Sequence, residues 1–334
     1  MARSSTILES FSGKKVAITG GLGFIGSNLA KHLVDFGAEV LLIDSLIPEY
    51  GGNLFNIKGY EDKLRVNIAD VRDKHGMAYL IRHQDFIFNL AGQTSHLDSM
   101  SDPYSDLEIN CRSQLSLLEV CREHNPGVRI IFASTRQIYG KPEYLPVDEA
   151  HPLRPVDVNG INKLAGEQYH ILYNNVYGIR STVLRLTNTY GPQMRVKDAR
   201  QTFLGWWIRL LLEDREIEIF GDGAQLRDFN FVDDAVEAFL LAAAQDASYG
   251  RVMNLGSKEI ISLSDLAQLL VEINGKGRFR IVPFPPERKS IDIGDYYSDY
   301  SQIESILGWN PKTNLRTGLA RSLSYFREHS KQYW

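Results

Sequence analysis

The sequence predicts an α/β fold: a parallel sheet covered by helices on both faces, followed by a smaller, more irregular C-terminal lobe. Three observations carry this. A short apolar strand, Lys15–Thr19, runs into a glycine-rich turn and then a helix. Short apolar runs alternate with helical stretches up to about residue 190, the rhythm of a sheet whose crossovers are helices. After Tyr190-Gly191-Pro192 that rhythm breaks.

In chain order, Gly20-Gly21-Leu22-Gly23-Phe24-Ile25-Gly26 is the turn, and Ser27 to Phe36 is helical, with Leu29, His32 and Leu33 recurring at three and four. Val40-Leu41-Leu42-Ile43 is a continuous apolar run ending in Asp44, the pattern of a buried parallel strand. Further strands are expected at Leu64–Val66, Phe86–Phe88, Arg129–Phe132 and Ser181–Leu186. In the lobe, Phe203–Leu212 reads as an amphipathic helix, Glu216–Phe220 as a strand and Gly221-Asp222-Gly223 as a turn. Phe231–Ala244 reads as a helix capped by Asp233 or Asp234. Ser262 to Asp265 opens another, with Ser or Asp suited to its N-cap. Ser298 to Trp334 reads as a polar tail. The expected units are a sheet domain over 13–190 plus about 229–256, and a lobe from 191–228 and 257–334.

The chain has 334 residues, 43% of them hydrophobic and 23% charged, which suits a globular protein. A net charge of −4 offers no basic surface for a nucleic-acid backbone, so nucleic-acid binding is not expected. No apolar run is long enough to span a bilayer, and the Ser-rich N-terminus lacks an apolar secretory core, so no membrane association and a cytoplasmic location are expected. The two cysteines, Cys111 and Cys121, lie roughly 15 Å apart if the segment is helical, too far for a disulfide. No metal site is expected.

Gly20, Gly23 and Gly26 follow a strand and open a helix, and Asp44 ends the next strand. Glycines at these positions let backbone approach a pyrophosphate at a helix N-terminus. An acid at the end of the second strand accepts hydrogen bonds from ribose hydroxyls and repels a 2′-phosphate. The expected cofactor is therefore NAD rather than NADP.

With the segments that follow, this spacing resembles the extended short-chain dehydrogenase/reductase family, specifically its nucleotide-sugar epimerases and dehydratases. The resemblance covers about Lys14 to Arg327 and implies a Rossmann-type doubly wound sheet with a C-terminal substrate-binding lobe. Ala69-Asp70-Val71-Arg72-Asp73 resembles the segment that touches adenine, implying contacts from Asp70 and Val71. Asn89-Leu90-Ala91-Gly92-Gln93 resembles the stretch beneath the cofactor, with Asn89 where the family has His. The resemblance implies cofactor contacts from Gly20, Gly23, Phe24, Ile25, Gly26, Asp44, Leu90, Ala91, Gly92 and Lys163. Ala133 to Gly140 resembles the segment carrying a catalytic Ser/Thr, here Thr135. Arg185 to Pro192 and Arg227 to Asp234 resemble the segments leading into the substrate lobe. From these the resemblance implies substrate contacts at Gln93, Thr135, Arg136, Asn188, Arg227 and Arg288, the arginines suiting a diphosphate. Trp206 and Trp207 fall near the expected nucleobase.

The family removes a sugar hydroxyl proton with a Tyr placed four residues before a Lys. Here the Lys is Lys163 and the Tyr position is Asn159, whose amide cannot serve as a base. Three groups are left as candidates: His96, since an imidazole titrates near neutrality; Lys163, alone or through a water oriented by Asn159; and Tyr139. Asn159 itself is expected to fix a water or a sugar hydroxyl. Arg136 and Gln137 stand where the family's dehydratases carry Asp-Glu and its decarboxylases a Glu, which disfavours both eliminations.

The resulting expectation is an NAD-dependent nucleotide-sugar epimerase working through a transient keto-sugar, with catalytic positions Thr135, Lys163, Asn159 and His96. The alternatives are a dehydratase or decarboxylase with a rearranged acid/base set, and a non-catalytic NAD- and nucleotide-sugar-binding protein. A homodimer is expected, paired through helices around Asp106–Arg122 and Asn159–Tyr173. Leu107, Leu115, Leu118, Val120, Ile161, Leu164, Ile171 and Leu172 are available for the contact.

Overall fold

The computed structural model describes residues 2–334, with side chains described from Ile7 onward. Helix α1 (Ala2–Phe11) leads into β1 (Lys15–Thr19), α2 (Phe24–Asp35) and β2 (Glu39–Asp44). Next come β3 (Leu64–Ile68), α3 (Lys74–Leu80), β4 (Phe86–Asn89), α4 (His96–Ser101) and α5 (Pro103–Leu107). A π-helical turn, Glu108–Arg112, joins α5 to α6 (Ser113–His124). Then follow β5 (Arg129–Thr135), α7 (Val158–Tyr177), β6 (Arg180–Leu186) and β7 (Asn188–Tyr190).

The remaining elements are α8 (Phe203–Leu212), β8 (Ile217–Phe220), β9 (Leu226–Phe231), α9 (Val232–Ala244), β10 (Val252–Asn254), β11 (Ile260–Ser262) and α10 (Leu263–Asn274). After them come β12 (Phe279–Val282), α11 (Pro286–Lys289), α12 (Ser301–Leu307) and α13 (Leu315–His329).

Seven strands form one parallel sheet in the order β3-β2-β1-β4-β5-β6-β10. The order reverses between β1 and β4, the place where such sheets leave a crevice at the strand C-terminal ends. Val16, Ile18, Leu42, Phe88 and Ile131 pack on one face with α2 and α9; Ala17, Leu41, Ile87 and Ile130 pack on the other with α3 and α6. Both layers are buried, which is why these strands read as unbroken apolar runs. The β1, β2 and β5–β6 runs were located from sequence to within a few residues.

The chain after Tyr190 departs from expectation in three ways. It carries two further small sheets, β11-β9-β7 and β12-β8. The tail is folded: α13 packs Leu315, Leu319, Leu323 and Phe326 into the main core. Helix α9 begins at Val232 without a side-chain cap. Asp234 instead accepts the backbone N–H groups of Lys312 (3.1 Å) and Thr313 (3.0 Å), and Asp233 pairs with Arg321. Both carboxylates thus tie the tail to the sheet rather than capping their own helix. Ser262 does cap α10, accepting from the Asp265 N–H. Among the described residues no helix is long and apolar enough to cross a membrane.

Candidate active site

A cleft of about 520 Å³ runs across the C-terminal ends of the sheet and under the lobe. Its first end is made of backbone. Gly20 adopts φ +68 and lies so close to Leu90 and Ala91 that a Cβ would come within 3.0 Å of the Ala91 nitrogen. A Cβ on Gly26 would sit 2.3 Å from the Gly20 carbonyl oxygen. The N-terminal N–H groups of α2 have no side-chain cap and open beside Gly23, Phe24 and Ile25, which line the cleft. That is an anion seat by geometry and by helix dipole.

Asp44 stands next to it, buried. Its carboxylate accepts from the Leu22 N–H (3.0 Å) and the Leu46 N–H (2.9 Å). Burial raises its pKa, partly offset by those two donors. Gly52 leaves room at its side: a Cβ there would stand 2.7 Å from Asp44 Oδ1. Gly52 and Tyr50 line this end and carried no local signal in the sequence. Asp70 and Val71 close the rim, with Asp70 held by Arg72 in a two-pronged pair that lowers its pKa.

The middle of the cleft holds Thr135 and Lys163. Thr135 ends β5, and its hydroxyl accepts from the Gln137 N–H at 3.2 Å. Lys163 Nζ donates to the Ala133 carbonyl at 3.1 Å and lies 5.0 Å from the centre of the Phe132 ring. Burial pushes its ammonium down to about 8, against an opposing pull from Asp106.

Asn159 sits one helical turn before Lys163 and is spoken for. Its amide nitrogen donates to the Gln93 carbonyl at 2.8 Å and to Asp106 Oδ2 at 3.0 Å. Asp106 is fully buried and also receives Asn110 Nδ2 (3.0 Å) and Asn162 Nδ2 (2.8 Å). Three asparagine amides therefore satisfy one buried carboxylate, as a buried acceptor requires. This differs from the expected fixing of a water or sugar hydroxyl, because the amide N–H groups are turned to the acid behind the cleft. Asn110 lies in the π-helical turn, and its buried Oδ1 has no partner.

Tyr139 is removed from consideration as a base by its placement. It is fully buried, its hydroxyl donates to Asn254 and accepts from Arg185, and burial pushes it up to about 12. Gln93 also departs from expectation. It is buried outside the cleft lining, its carbonyl taken by Asn110 and Asn159 and its amide donating to Ser95. His96 lines the cleft at the start of α4, with Nδ1 2.9 Å from the buried Asp157.

The far end is cationic and aromatic. Arg136 donates through Nη2 to Asn188 at 2.8 Å, while its buried Nη1 has no partner. Burial lowers the Arg136 pKa and pushes Arg227 down to about 10, with Arg136 adding repulsion to Arg227. Two buried guanidinium groups in one cleft, one disfavouring the other's charge and carrying an idle N–H, fit an anion between them. Arg288 reaches over Phe220, and Phe203, Trp207 and Phe284 complete an aromatic wall. Trp206 instead packs outside, against Arg209 and Arg215.

Fold and cleft together define a dinucleotide-binding enzyme whose cleft carries arginines and an aromatic wall at the end away from the glycine turn. Residues 16–256 match the NAD dependent epimerase/dehydratase family. The chain belongs to that family, and NAD is its cofactor, for which the close glycine turn and Asp44 are a fit. UDP-glucose 4-epimerase of Mycolicibacterium smegmatis is 31% identical over 323 residues, covering 95% of this chain and 100% of that one. CDP-paratose 2-epimerase of Salmonella typhi is 28% identical over 335 residues, covering 92% and 97%. The solved UDP-glucose 4-epimerase of Thermotoga maritima, crystallised with UDP-glucose, superposes with a TM-score of 0.86 at 30% identity, covering 95% and 99%.

Proposed function

We propose that the protein is a nucleotide-sugar epimerase that retains NAD and inverts one sugar carbon through a transient ketone. The observation that supports this most is the layout of the cleft. A dinucleotide seat at one end and a two-arginine anion seat at the other flank Thr135 and Lys163. When bound, NAD supplies a reversible hydride acceptor. Lys163 orients the nicotinamide ribose, and its buried cation lowers the cost of a developing alkoxide. Thr135 hydrogen-bonds the reacting oxygen. Arg136, Arg227 and Arg288, with Asn188, hold the diphosphate, and the aromatic wall takes the nucleobase. Gly20, Gly23, Phe24, Ile25, Gly26, Asp44, Asp70, Val71, Leu90, Ala91 and Gly92 bind NAD.

Inversion needs no acid at the two positions after Thr135. Arg136 is engaged with Asn188, and Gln137 donates to Asp157. Neither offers the carboxyl that elimination would use, so dehydration and decarboxylation are the weaker readings. The relatives' names do not choose among these reactions, since epimerases of UDP and CDP sugars stand beside UDP-glucuronic acid decarboxylases, and nucleotide and sugar are left open.

The test is to incubate the NAD-loaded protein with UDP-glucose, UDP-N-acetylglucosamine, UDP-glucuronate and a CDP-hexose, and follow the sugars by proton NMR. Equilibration of one sugar with an epimer is the expected result. Accumulation of a 4-keto-6-deoxy sugar or a pentose would replace the reading. No conversion, with one of these sugars bound, would make the protein a binder.

The same reading carries a homodimer. Of the apolar residues named for it, Leu118 and Val120 are buried in the monomer's own core, whereas Leu107, Ile161 and Leu172 are exposed. Tyr104 and Val176 extend that exposed face. Light scattering of Ile161→Glu against the parent tests it, with a halved mass expected.

A further inference from the structure

With Asn159 turned to Asp106 and Tyr139 sealed behind the cleft, a proton acceptor for the sugar hydroxyl has to come from elsewhere. Lys163 is one group in reach, but its ammonium already donates to the Ala133 carbonyl and stands over Phe132. His96 is the other. We propose, resting on the epimerase reading above, that His96 is the general base and general acid of the reaction. Asp157 is the positioning residue that holds its ring.

Four observations lead there. His96 lines the cleft together with Thr135, Gln137, Asn159 and Lys163. Its ring is about a third exposed, yet Nδ1 is buried and lies 2.9 Å from Asp157 Oδ2, so the exposed edge is the Nε2 edge. The carboxylate lies off the line of the ring N–H, the imperfect alignment common before substrate arrives.

Asp157 is itself fixed. Oδ1 accepts from the Gly160 N–H at 2.7 Å, capping α7, and Oδ2 accepts from Gln137 Nε2 at 2.8 Å. Burial pushes its carboxyl up, and His96, Gly160 and Gln137 together outweigh this and leave it below the usual carboxylate range.

Gln137 also ties the pair to the reacting centre, because its own N–H donates to the Thr135 hydroxyl. On the other side, the Asn159 N–H donates to Ser99 on the helix that His96 begins. Gln137 thus links the His96–Asp157 pair to the Thr135 hydroxyl, and Asn159, on the helix that carries Lys163, anchors the helix that His96 begins. An ionised carboxylate on Nδ1 keeps the proton there, leaves Nε2 as the acceptor and stabilises the imidazolium that forms.

The step balances. The sugar O–H bond breaks and its proton forms the N–H bond at Nε2. The O–H electron pair becomes the carbonyl π bond as the carbinol C–H pair leaves as hydride to the oxidised nicotinamide. Hydride return to the opposite face takes the Nε2 proton back onto oxygen.

The experiment uses the full-length NAD-loaded protein and whichever sugar of the panel above it converts. His96→Ala is expected to lower kcat about 10²–10⁴-fold, the usual worth of a positioned acid–base, with little change in KM. Free imidazole should restore part of it. Asp157→Asn keeps an N-cap for α7, so it is expected to fold, lower kcat by at least about 10-fold, and shift the His96 ring-nitrogen signals away from the Nδ1–H form expected of the parent. That NMR reading needs no turnover. Parent activity with His96→Ala within about threefold of it would overturn the dyad and leave the epimerase reading standing. So would a parent His96 with its proton on Nε2. A parent inert toward every sugar overturns the epimerase reading, and the proposed step with it.

Discussion

The two halves of the cleft are built by different means. The cofactor half is backbone: a glycine turn pressed against Leu90 and Ala91, the uncapped start of α2, and one carboxylate, Asp44, fixed by two main-chain donors. The reaction half is side chains from α4, the π-helical turn, the end of β5 and the start of α7, joined by amides around Asp106 and by the Asp157 contacts. Backbone geometry tolerates almost no change in sequence, whereas a side-chain network can trade one member for another if every buried polar atom stays satisfied. Asn159, at the position where the resemblance implies a Tyr, falls in the half where such a trade is possible.

Lys163 joins the two halves, and its removal should have the largest effect. Lys163→Met is expected to lower turnover about 10²-fold or more, read as kcat on the converted sugar. The same change should stabilise the protein without ligand. The folded pKa of about 8 lies below the ordinary 10.5. Between those values the unfolded chain binds a proton that the folded one does not, so stability rises with pH across that window. Urea midpoints of the parent should therefore climb from pH 8 toward 10.5, and the Met variant should lack that component. A Met variant less stable than the parent at pH 7 would show that the buried ammonium is a structural partner.

Gly26→Ala tests the backbone half. The new Cβ meets the Gly20 carbonyl at 2.3 Å, a main-chain atom with nowhere to move. Overpacking of about 1–3 kcal/mol, felt at the cofactor seat, corresponds to roughly 10–100-fold in NAD affinity. Calorimetric titration with NAD measures it. Unchanged affinity would mean that the turn does not approach the dinucleotide.

Asn159→Tyr tests the side-chain half. Asp106 would lose one of its three amide donors, and a phenol would enter a packed site. We expect no gain in turnover and a loss of about 1–3 kcal/mol in stability from the under-satisfied carboxylate. A urea melt reads the second, the epimerisation assay the first. A Tyr variant faster than the parent would make the asparagine a lesion rather than part of a network.

This division also explains what the sequence disclosed. The glycine turn and Asp44 are local signals, set by spacing within one strand–turn–helix unit. The main-sheet strands were legible because burial on both faces leaves unbroken apolar runs. β7, β10 and β11 are three residues each, too short for any period to register. Helix α13 hid in a polar tail although Leu315, Leu319 and Leu323 recur at four. His96 was visible as a candidate, but its partner Asp157 lies far along the chain and reads as an ordinary helix cap. The Asp106 cluster draws on residues from three elements and has no local signature. Gln93 was placed by its neighbours in the motif, yet its side chain turns inward to Ser95.

The smallest effect is expected at the adenine rim. Arg72 grips Asp70 through Nε at 2.9 Å and Nη2 at 2.6 Å, but both side chains are about a third exposed. A pair so open to water and salt contributes roughly 0–1 kcal/mol. Arg72→Ala should return the Asp70 carboxyl toward its ordinary value, because the Arg72 hydrogen bond is the chief cause of its lowering. It should change NAD affinity by no more than about fivefold, and the change should shrink further in high salt as the exposed charges are screened. If Arg72→Ala weakened NAD as strongly as Gly26→Ala, a side chain at the rim would be contributing as much as the main-chain turn. The cofactor half would then be a side-chain site like the other, and its legibility in the sequence would need a different physical reason.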